Sequence, residues 1–211
     1  MSKQISWYFD FISPFAYLQL EQFKALPHDV VIEYKPVLLA GLLEHWKNIG
    51  PAEIKPKRIF TYQYCQWLAK KKGIPFKMPP AHPFVSLVAL RLAIASNNDQ
   101  LVIRTIFEAI WKEGLSLEDA ATWSWLSKHA DMQNAVKLME TAEVKSQLRT
   151  NTDEAAELQI FGVPTMHIDG HNFWGYDGFD MALDYLQQPK TFFDEEMQRI
   201  AKLPVGIQRK R

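Results

Sequence analysis

The stretch "YFDFISPFAYLQL", residues 8–20, decides the fold. The aromatic and β-branched run "QISWYFDFI", residues 4–12, suits a buried strand. It enters Ser13-Pro14, and a helical pattern begins at once with Phe15, Tyr17, Leu18, Leu20 and Phe23, predicting a helix to about Leu26. Serine is a preferred N-cap and proline a favoured first helical residue, so capping alone accounts for both. A helix N-terminus at the carboxyl end of a strand also presents unpaired N–H groups and partial positive charge, which stabilise a thiolate or another anion. Residues 30–38, "VVIEYKPVL", read as a second strand, with Pro36 pointing to an edge or a bulge. The result is a βαβ unit.

Strand signals return only near the end of the chain. "VPTMHI" (163–168) and "NFWGY" (172–176) flank Asp169-Gly170, a hairpin signal, and "GFDMALDYLQQ" (178–188) follows as a helix. Between the two strand regions the pattern is helical. "RIFTYQYCQWLAKKKG" (58–73) puts Phe60, Tyr64, Trp67 and Leu68 on one stripe and closes with lysines and a glycine. "FVSLVALRLAIAS" (84–96) is apolar nearly all round and predicts a central buried helix. "QLVIRTIFEAIWKEG" (100–114) carries a stripe at Val102, Ile103, Ile106, Phe107, Ile110 and Trp111. Ser116 with Asp119 reads as a capping box, Asp131 as a further cap, and a last helix runs from near Ala142 towards Ile160. The order is β-α-β, about five helices, then β-β-α. That predicts an α/β fold in which a thioredoxin-like core, residues 1–41 plus 158–211, is interrupted by an all-helical insertion, residues 42–157. The tryptophans are expected mostly in the core, and Cys65 as a buried small hydrophobe.

Composition narrows the function. The 211 residues carry 24 basic and 24 acidic side chains, which argues against a nucleic-acid partner. The one local excess lies in the tail, where Arg199, Lys202, Arg209, Lys210 and Arg211 are expected to form a frayed, solvated end. A single cysteine rules out an intramolecular disulfide, a Cys-x-x-Cys pair and a cysteine zinc site, and no metal site is expected. The N-terminus lacks the pattern of a secretory signal, and no apolar run approaches the ~20 residues that span a bilayer. A soluble cytoplasmic protein with no membrane partner is expected.

Two further segments carry chemistry. In a thioredoxin-like core the Val163-Pro164 loop faces the N-terminus of the first helix. A cis bond there, the form of only ~5–6% of X-Pro bonds, leaves the Val163 backbone free to pair with an extended, peptide-like ligand. Tyr176 and Asp177 precede the last helix. They suit capping, and equally suit a zwitterionic amino-acid end.

In combination "YFDFISPFAYL", "NIGP" (48–51), "FGVPTMHIDG" (161–170) and "FWGYDGFDMAL" (173–183) resemble the 2-hydroxychromene-2-carboxylate isomerases. These are relatives of kappa-class glutathione transferases in the DsbA-like branch of the thioredoxin fold, and the resemblance covers nearly the whole chain. The redox branch has Cys-Pro-x-Cys where this chain has Ser13-Pro14-Phe15-Ala16, so dithiol chemistry is excluded. The resemblance implies a glutathione cofactor with its cysteine against Val163 and Pro164, its γ-glutamyl end at Tyr176 and Asp177, and its sulfur at Ser13. Trp174 would wall that site. It further implies a homodimer, aromatic compound catabolism, and an isomerase that acts on a small aromatic carboxylate through reversible thiolate addition. Asn48 and the positions after Pro51, Ala52 and Glu53, would face the substrate. Lys55 is the expected carboxylate contact, and His82 in "MPPAHPF" (78–84) is expected to line the same cleft. Two alternatives stand beside this reading: a kappa-like transferase that conjugates electrophiles, and a non-catalytic DsbA-like peptide-binding module.

Overall fold

The computed structural model describes residues 3–190 and 194–207. Its centre is β1 (Lys3–Phe9), which pairs in parallel with β2 (Val30–Pro36) and antiparallel with β3 (Thr165–Ile168); β4 (His171–Trp174) completes the order β2-β1-β3-β4. Register places Trp7 beside Tyr34 on one side and Met166 on the other. The two halves of the core, far apart in sequence, therefore meet along β1. Pro36 ends an edge strand, where a missing N–H costs no ladder bond. Asp169 (φ 49°) and Gly170 (φ 82°) both adopt the left-handed conformation that a two-residue primed hairpin turn needs.

β1 stops at Phe9, short of the residue-12 end that its composition suggests. The cause is Asp10, whose buried carboxylate accepts the N–H groups of Ile12 (3.1 Å) and Leu39 (2.9 Å) and so turns the chain out of the strand. Helix α1 (Pro14–Leu20) also ends early. Bonding shifts to i→i−3 pairs, Gln22 N–H to Gln19 and Ala25 N–H to Gln22, which tightens the chain into a 3₁₀ turn over Phe23–Ala25.

The helical segment holds α2 (Leu39–His45), α3 (Lys55–Lys72), α4 (Leu87–Ala95), α5 (Gln100–Phe107), α6 (Ala120–His129), α7 (Gln133–Leu138) and α8 (Ala142–Glu157). A π-helical turn over Glu108–Lys112 extends α5. The helix missing from the sequence pattern is α2, which at seven residues is too short to display a stripe. Asp119, not Ser116, occupies the N-cap position of α6; the Ser116 hydroxyl accepts the Glu118 N–H in the preceding turn. Asp131 does serve the start of α7, accepting the Gln133 N–H. After α9 (Gly178–Gln187) comes α10 (Glu195–Ile200), where Arg199 pairs with Glu196, so that cation is not unopposed. Arg209, Lys210 and Arg211 lie outside the described residues. Among the described residues no helix is long and apolar enough to cross a membrane.

Alternation along β1 divides the core. Ile5, Trp7 and Phe9 face a layer built from α1, α4, α5 and α9, where Trp7 stacks on Phe9 (4.4 Å between centroids) and Phe9 meets Phe107. Tyr8 faces the opposite way with Val37, Leu42, Ala155, Ile160 and Val163, so α8 and α2 cover the second face of the sheet. Glu154 on α8 accepts the Tyr8 hydroxyl at 2.9 Å.

The expectation of buried tryptophans holds for Trp7 and Trp111 only, with Trp123 and Trp125 partly covered. Trp46, Trp67 and Trp174 are exposed. The stripe read on α3 splits likewise: Leu68 is buried with Cys65 and Ala69, while Phe60 and Trp67 are 66% and 52% exposed. Those two rings lie on the solvent side of α3, away from the face that packs on the core.

Candidate active site

Ser13 sits at the strand-to-helix elbow in an extended conformation, and its Oγ accepts the Ala16 N–H at 3.3 Å, so it is the N-cap of α1. The same hydroxyl donates to the Val163 carbonyl at 3.4 Å. One buried oxygen therefore joins the elbow to a loop 150 residues further along the chain. Asp10 holds the elbow from behind: its carbonyl accepts the Ser13 N–H at 3.0 Å. Burial raises the Asp10 carboxyl above the usual carboxylate range, against hydrogen bonds from Ser86, Leu39 and Ile12 that lower it.

The facing loop is fixed at each point. The Val163-Pro164 bond is cis, Thr165 Oγ1 donates to the Gly162 carbonyl at 2.7 Å, and the Gly175 N–H donates to the Pro164 carbonyl at 2.8 Å. A side chain at residue 162 would have to displace Trp174, since its Cβ would lie 2.8 Å from Trp174 Nε1. That contact sets the exposed Trp174 ring over the loop, edge-on to Phe161.

The turn before α9 completes this side. Gly175 takes φ +86°, and a Cβ there would meet Asp177 Oδ1 at 2.7 Å, so glycine lets the exposed Asp177 carboxylate fold back over the turn. Gln19 anchors the turn: its amide donates to the Gly175 carbonyl at 2.7 Å and accepts the Trp7 indole N–H at 2.6 Å. Sequence reading missed Gln19. Its signal is an amide with no local partner in an otherwise apolar helix. Tyr176 lies within electrostatic reach of Asp180 and Tyr64; burial, more than either neighbour, raises its pKa. Its hydroxyl is buried without a hydrogen-bond partner among the described residues.

The helical segment supplies the opposing wall. His82 is half-buried, with Nε2 at 2.8 Å from the Ile12 carbonyl and Nδ1 at 2.7 Å from the Tyr62 hydroxyl. Burial first, and Arg58 nearby, push its pKa down, although its bond to Ile12 favours the charged form. A neutral ring with its proton on Nε2 donates to Ile12, and the single Tyr62 hydroxyl proton is then shared between Nδ1 and the His82 carbonyl, also at 2.7 Å. His82 is thus tied to the residue before Ser13. The other residues expected to face a substrate are held locally or lie open: Asn48 Oδ1 accepts the Ile49 N–H (2.8 Å), Glu53 Oε1 accepts the Gly50 N–H (2.6 Å), Ala52 offers its carbonyl to Arg58, and Lys55 is exposed in the first turn of α3. Arg58, three residues on, differs from Lys55. It is half-buried beside His82 and Tyr62, donates to the Ala52 carbonyl at 3.2 Å, and has no carboxylate partner among the described residues. Its signal was present in "KPKR", but spacing alone does not say which cation turns inward. Phe15 packs at 6.1 Å from the Tyr64 ring, so α1 and α3 meet at the mouth of the site. Cys65 stays outside this chemistry, its buried thiol pushed up to about 12.

A sheet of this order, a helical segment set between its halves, and a serine elbow under a proline loop define a thioredoxin-like protein of DsbA type that lacks the thiols. The chain belongs to the DSBA-like thioredoxin domain family, which matches residues 4–187. Among curated proteins it is 30% identical to glutathione S-transferase kappa 2 of Caenorhabditis elegans, across 89% of this chain and 93% of that one. It is 26% identical to a 2-hydroxychromene-2-carboxylate isomerase of Sphingobium xenophagum, across 88% and 99%. A solved 2-hydroxychromene-2-carboxylate isomerase superposes with a TM-score of 0.75 at 24% identity, covering 91% of this chain and all of that one.

Proposed function

We propose that the chain is a glutathione-dependent isomerase that interconverts 2-hydroxychromene-2-carboxylate and trans-o-hydroxybenzylidenepyruvate, or a related aromatic carboxylate. The observation that carries this reading is the Ser13 hydroxyl, buried at the elbow and only loosely held by the Val163 carbonyl at 3.4 Å, in a thioredoxin-like site with no thiol of its own. The residues present suit glutathione in kind. Arg58 is a cation without an acidic partner among the described residues, for a carboxylate. Asp177 is an exposed carboxylate at a glycine turn, for an amine. The Val163 backbone is an edge for a peptide.

Each side chain then has a definite task. Ser13 donates a hydrogen bond to a sulfur, which favours thiolate over thiol. Tyr176 and Asp177 hold the zwitterionic end; Trp174 shields one flank. Arg58 takes a carboxylate, in place of the exposed Lys55. His82 keeps the Ile12–Ser13 backbone in position as a neutral ring. When bound at these residues, glutathione would supply the nucleophilic sulfur for a reversible addition to the electron-poor double bond of the substrate, with no net oxidation. Cytoplasmic location, homodimer assembly and a domain division at residues 41/42 and 157/158 belong to the same proposal.

Purified protein with glutathione should change the ultraviolet spectrum of the chromene without net thiol loss. A kappa-like transferase is the second reading, favoured by the 30% identity to the Caenorhabditis elegans kappa protein. It would instead consume thiol in step with an aryl halide. Absence of both, with no calorimetric heat from glutathione, would leave the peptide-binding module.

A further inference from the structure

The contacts of His82 hold one proton too few. Three polar contacts meet there: Nε2 with the Ile12 carbonyl at 2.8 Å, Nδ1 with the Tyr62 hydroxyl at 2.7 Å, and that hydroxyl with the His82 carbonyl at 2.7 Å. A neutral ring brings one N–H and Tyr62 brings one O–H, so two protons serve three contacts. Moving the ring proton to Nδ1 does not help, because the bare Nε2 would then face the Ile12 carbonyl, acceptor against acceptor. A charged ring satisfies all three: Nε2–H donates to Ile12, Nδ1–H to the Tyr62 oxygen, and the Tyr62 O–H to the His82 carbonyl.

The hydrogen bonds are thus arranged for the charged form, and two effects hold it back: burial, and the Arg58 guanidinium nearby. Arg58 and Tyr62 stand at i and i+4 on α3, one turn apart and both half-buried. The other side chains against the ring are uncharged: Phe84 and Trp111 meet it edge-on at 5.9 and 5.5 Å, and Trp111 gives its indole N–H to the Phe11 carbonyl. The charged groups on these neighbouring elements are engaged elsewhere. Asp10 accepts from Ile12 and Leu39, Glu108 lies against Arg104 and Lys112, Glu113 acts on Tyr17, and Lys77 packs beside Gly114. A carboxylate paired with Arg58 would offset the cation that opposes a charged ring and add an anion that favours it.

We propose that Arg58, His82 and Tyr62 form a proton-coupled carboxylate site: when a ligand carboxylate pairs with Arg58, His82 takes one proton from solvent on Nδ1 and becomes a second cation. Nε2–H keeps its bond to Ile12 in both states, so the elbow stays held, and the neutral ring belongs to the empty site. Positive charge then stands at the residue before Ser13, where it favours a thiolate. The inference rests on Arg58 taking a carboxylate, as in the function proposed above.

Imidazole titration by nuclear magnetic resonance tests it, with glutathione and salicylate as separate probes of the two carboxylate sources; the carboxyls of both stay ionised between about pH 5 and 7. At saturation the His82 pKa should rise by at least about one pH unit, the low end for an opposite charge in reach. A rise with one probe alone names the source. By linkage that probe binds about tenfold more tightly to the charged ring than to the neutral one. In Arg58→Ala the pKa should lie above the wild-type value without ligand, and the probe should no longer move it. Tyr62→Phe should lower it with and without probe, because Nδ1–H of the charged ring loses its acceptor. The signal is identified by its absence in His82→Gln or, should that variant not fold, by its displacement in Tyr62→Phe. A pKa that stays put while calorimetry shows a probe bound overturns the inference and leaves the proposed function standing. A value unmoved in ligand-free Arg58→Ala also overturns it. If neither probe binds, the proposed function fails and this inference fails with it.

Discussion

Two groups of aromatic side chains separate the parts of this molecule. Trp7, Phe9, Phe11 and Phe107 come from a strand, a turn and a helix, and meet inside in stacked, tilted and edge-on pairs. Phe60, Tyr64 and Trp67 come from one helix and stack on each other and on a lysine, with Phe15 of α1 tilted against Tyr64. Composition is alike in both. What differs is whether a neighbouring element lies opposite, and that is a property of topology. A buried aromatic row therefore carries stability, whereas an exposed one adds little to it.

The sharpest way to break that comparison is to truncate one ring from each group. Trp7→Ala should cost about 3–5 kcal/mol in urea unfolding, because it leaves a cavity and also unpairs Gln19. Trp67→Ala should stay within about 0.5 kcal/mol per folded protomer. Equal losses would erase the distinction.

The next effect belongs to the elbow. Ser13→Ala should lower turnover by roughly 10–100-fold, the scale of a lost hydrogen bond to a charged group. Its cost in stability should be only about 1 kcal/mol, the worth of an N-cap. A stability loss with unchanged turnover per folded molecule would leave Ser13 as a cap and nothing more.

Arg58→Ala sharpens the contrast between inward and outward cations. Glutathione or substrate affinity should fall about 10-fold, whereas Lys55→Ala should change it less than about twofold. The reverse order would restore Lys55 as the anion contact.

The smallest effect is a pH slope. His82 has its pKa depressed in the folded state, so below about pH 6.5 the unfolded chain binds a proton that the folded chain refuses. Stability should therefore fall with pH below that value, by at most about 1.4 kcal/mol per unit, until the folded ring titrates. His82→Gln should remove that share of the slope, seen as the difference between the two unfolding curves.

Much of the fold was legible because its signals are local. Ser13-Pro14 marks a helix start by side-chain and ring chemistry, and Asp169-Gly170 marks a hairpin by the backbone conformations those residues tolerate. The Val163-Pro164 loop was legible as a partner for the elbow once the halves were joined. What the sequence hid depends on non-local partners. Asp10 sits inside an apolar run and turns the chain through an N–H donated by Leu39, 29 residues away. Gln19 is an amide in an apolar helix whose acceptor is 156 residues away. Periodicity on α3 found the row but could not say which side of the helix faces the core, and the choice of Lys55 over Arg58 left out the half-burial of Arg58 for the same reason.

The central claim is that Ser13 holds a sulfur the protein does not itself carry. The pKa of bound glutathione, read from the ultraviolet absorbance of its thiolate across pH, tests it most directly. The account predicts a value well below the ~8.5 of a free thiol in the wild type, and a return towards that value in Ser13→Ala. An identical titration in both proteins, or one at the free-thiol value in the wild type, would contradict it.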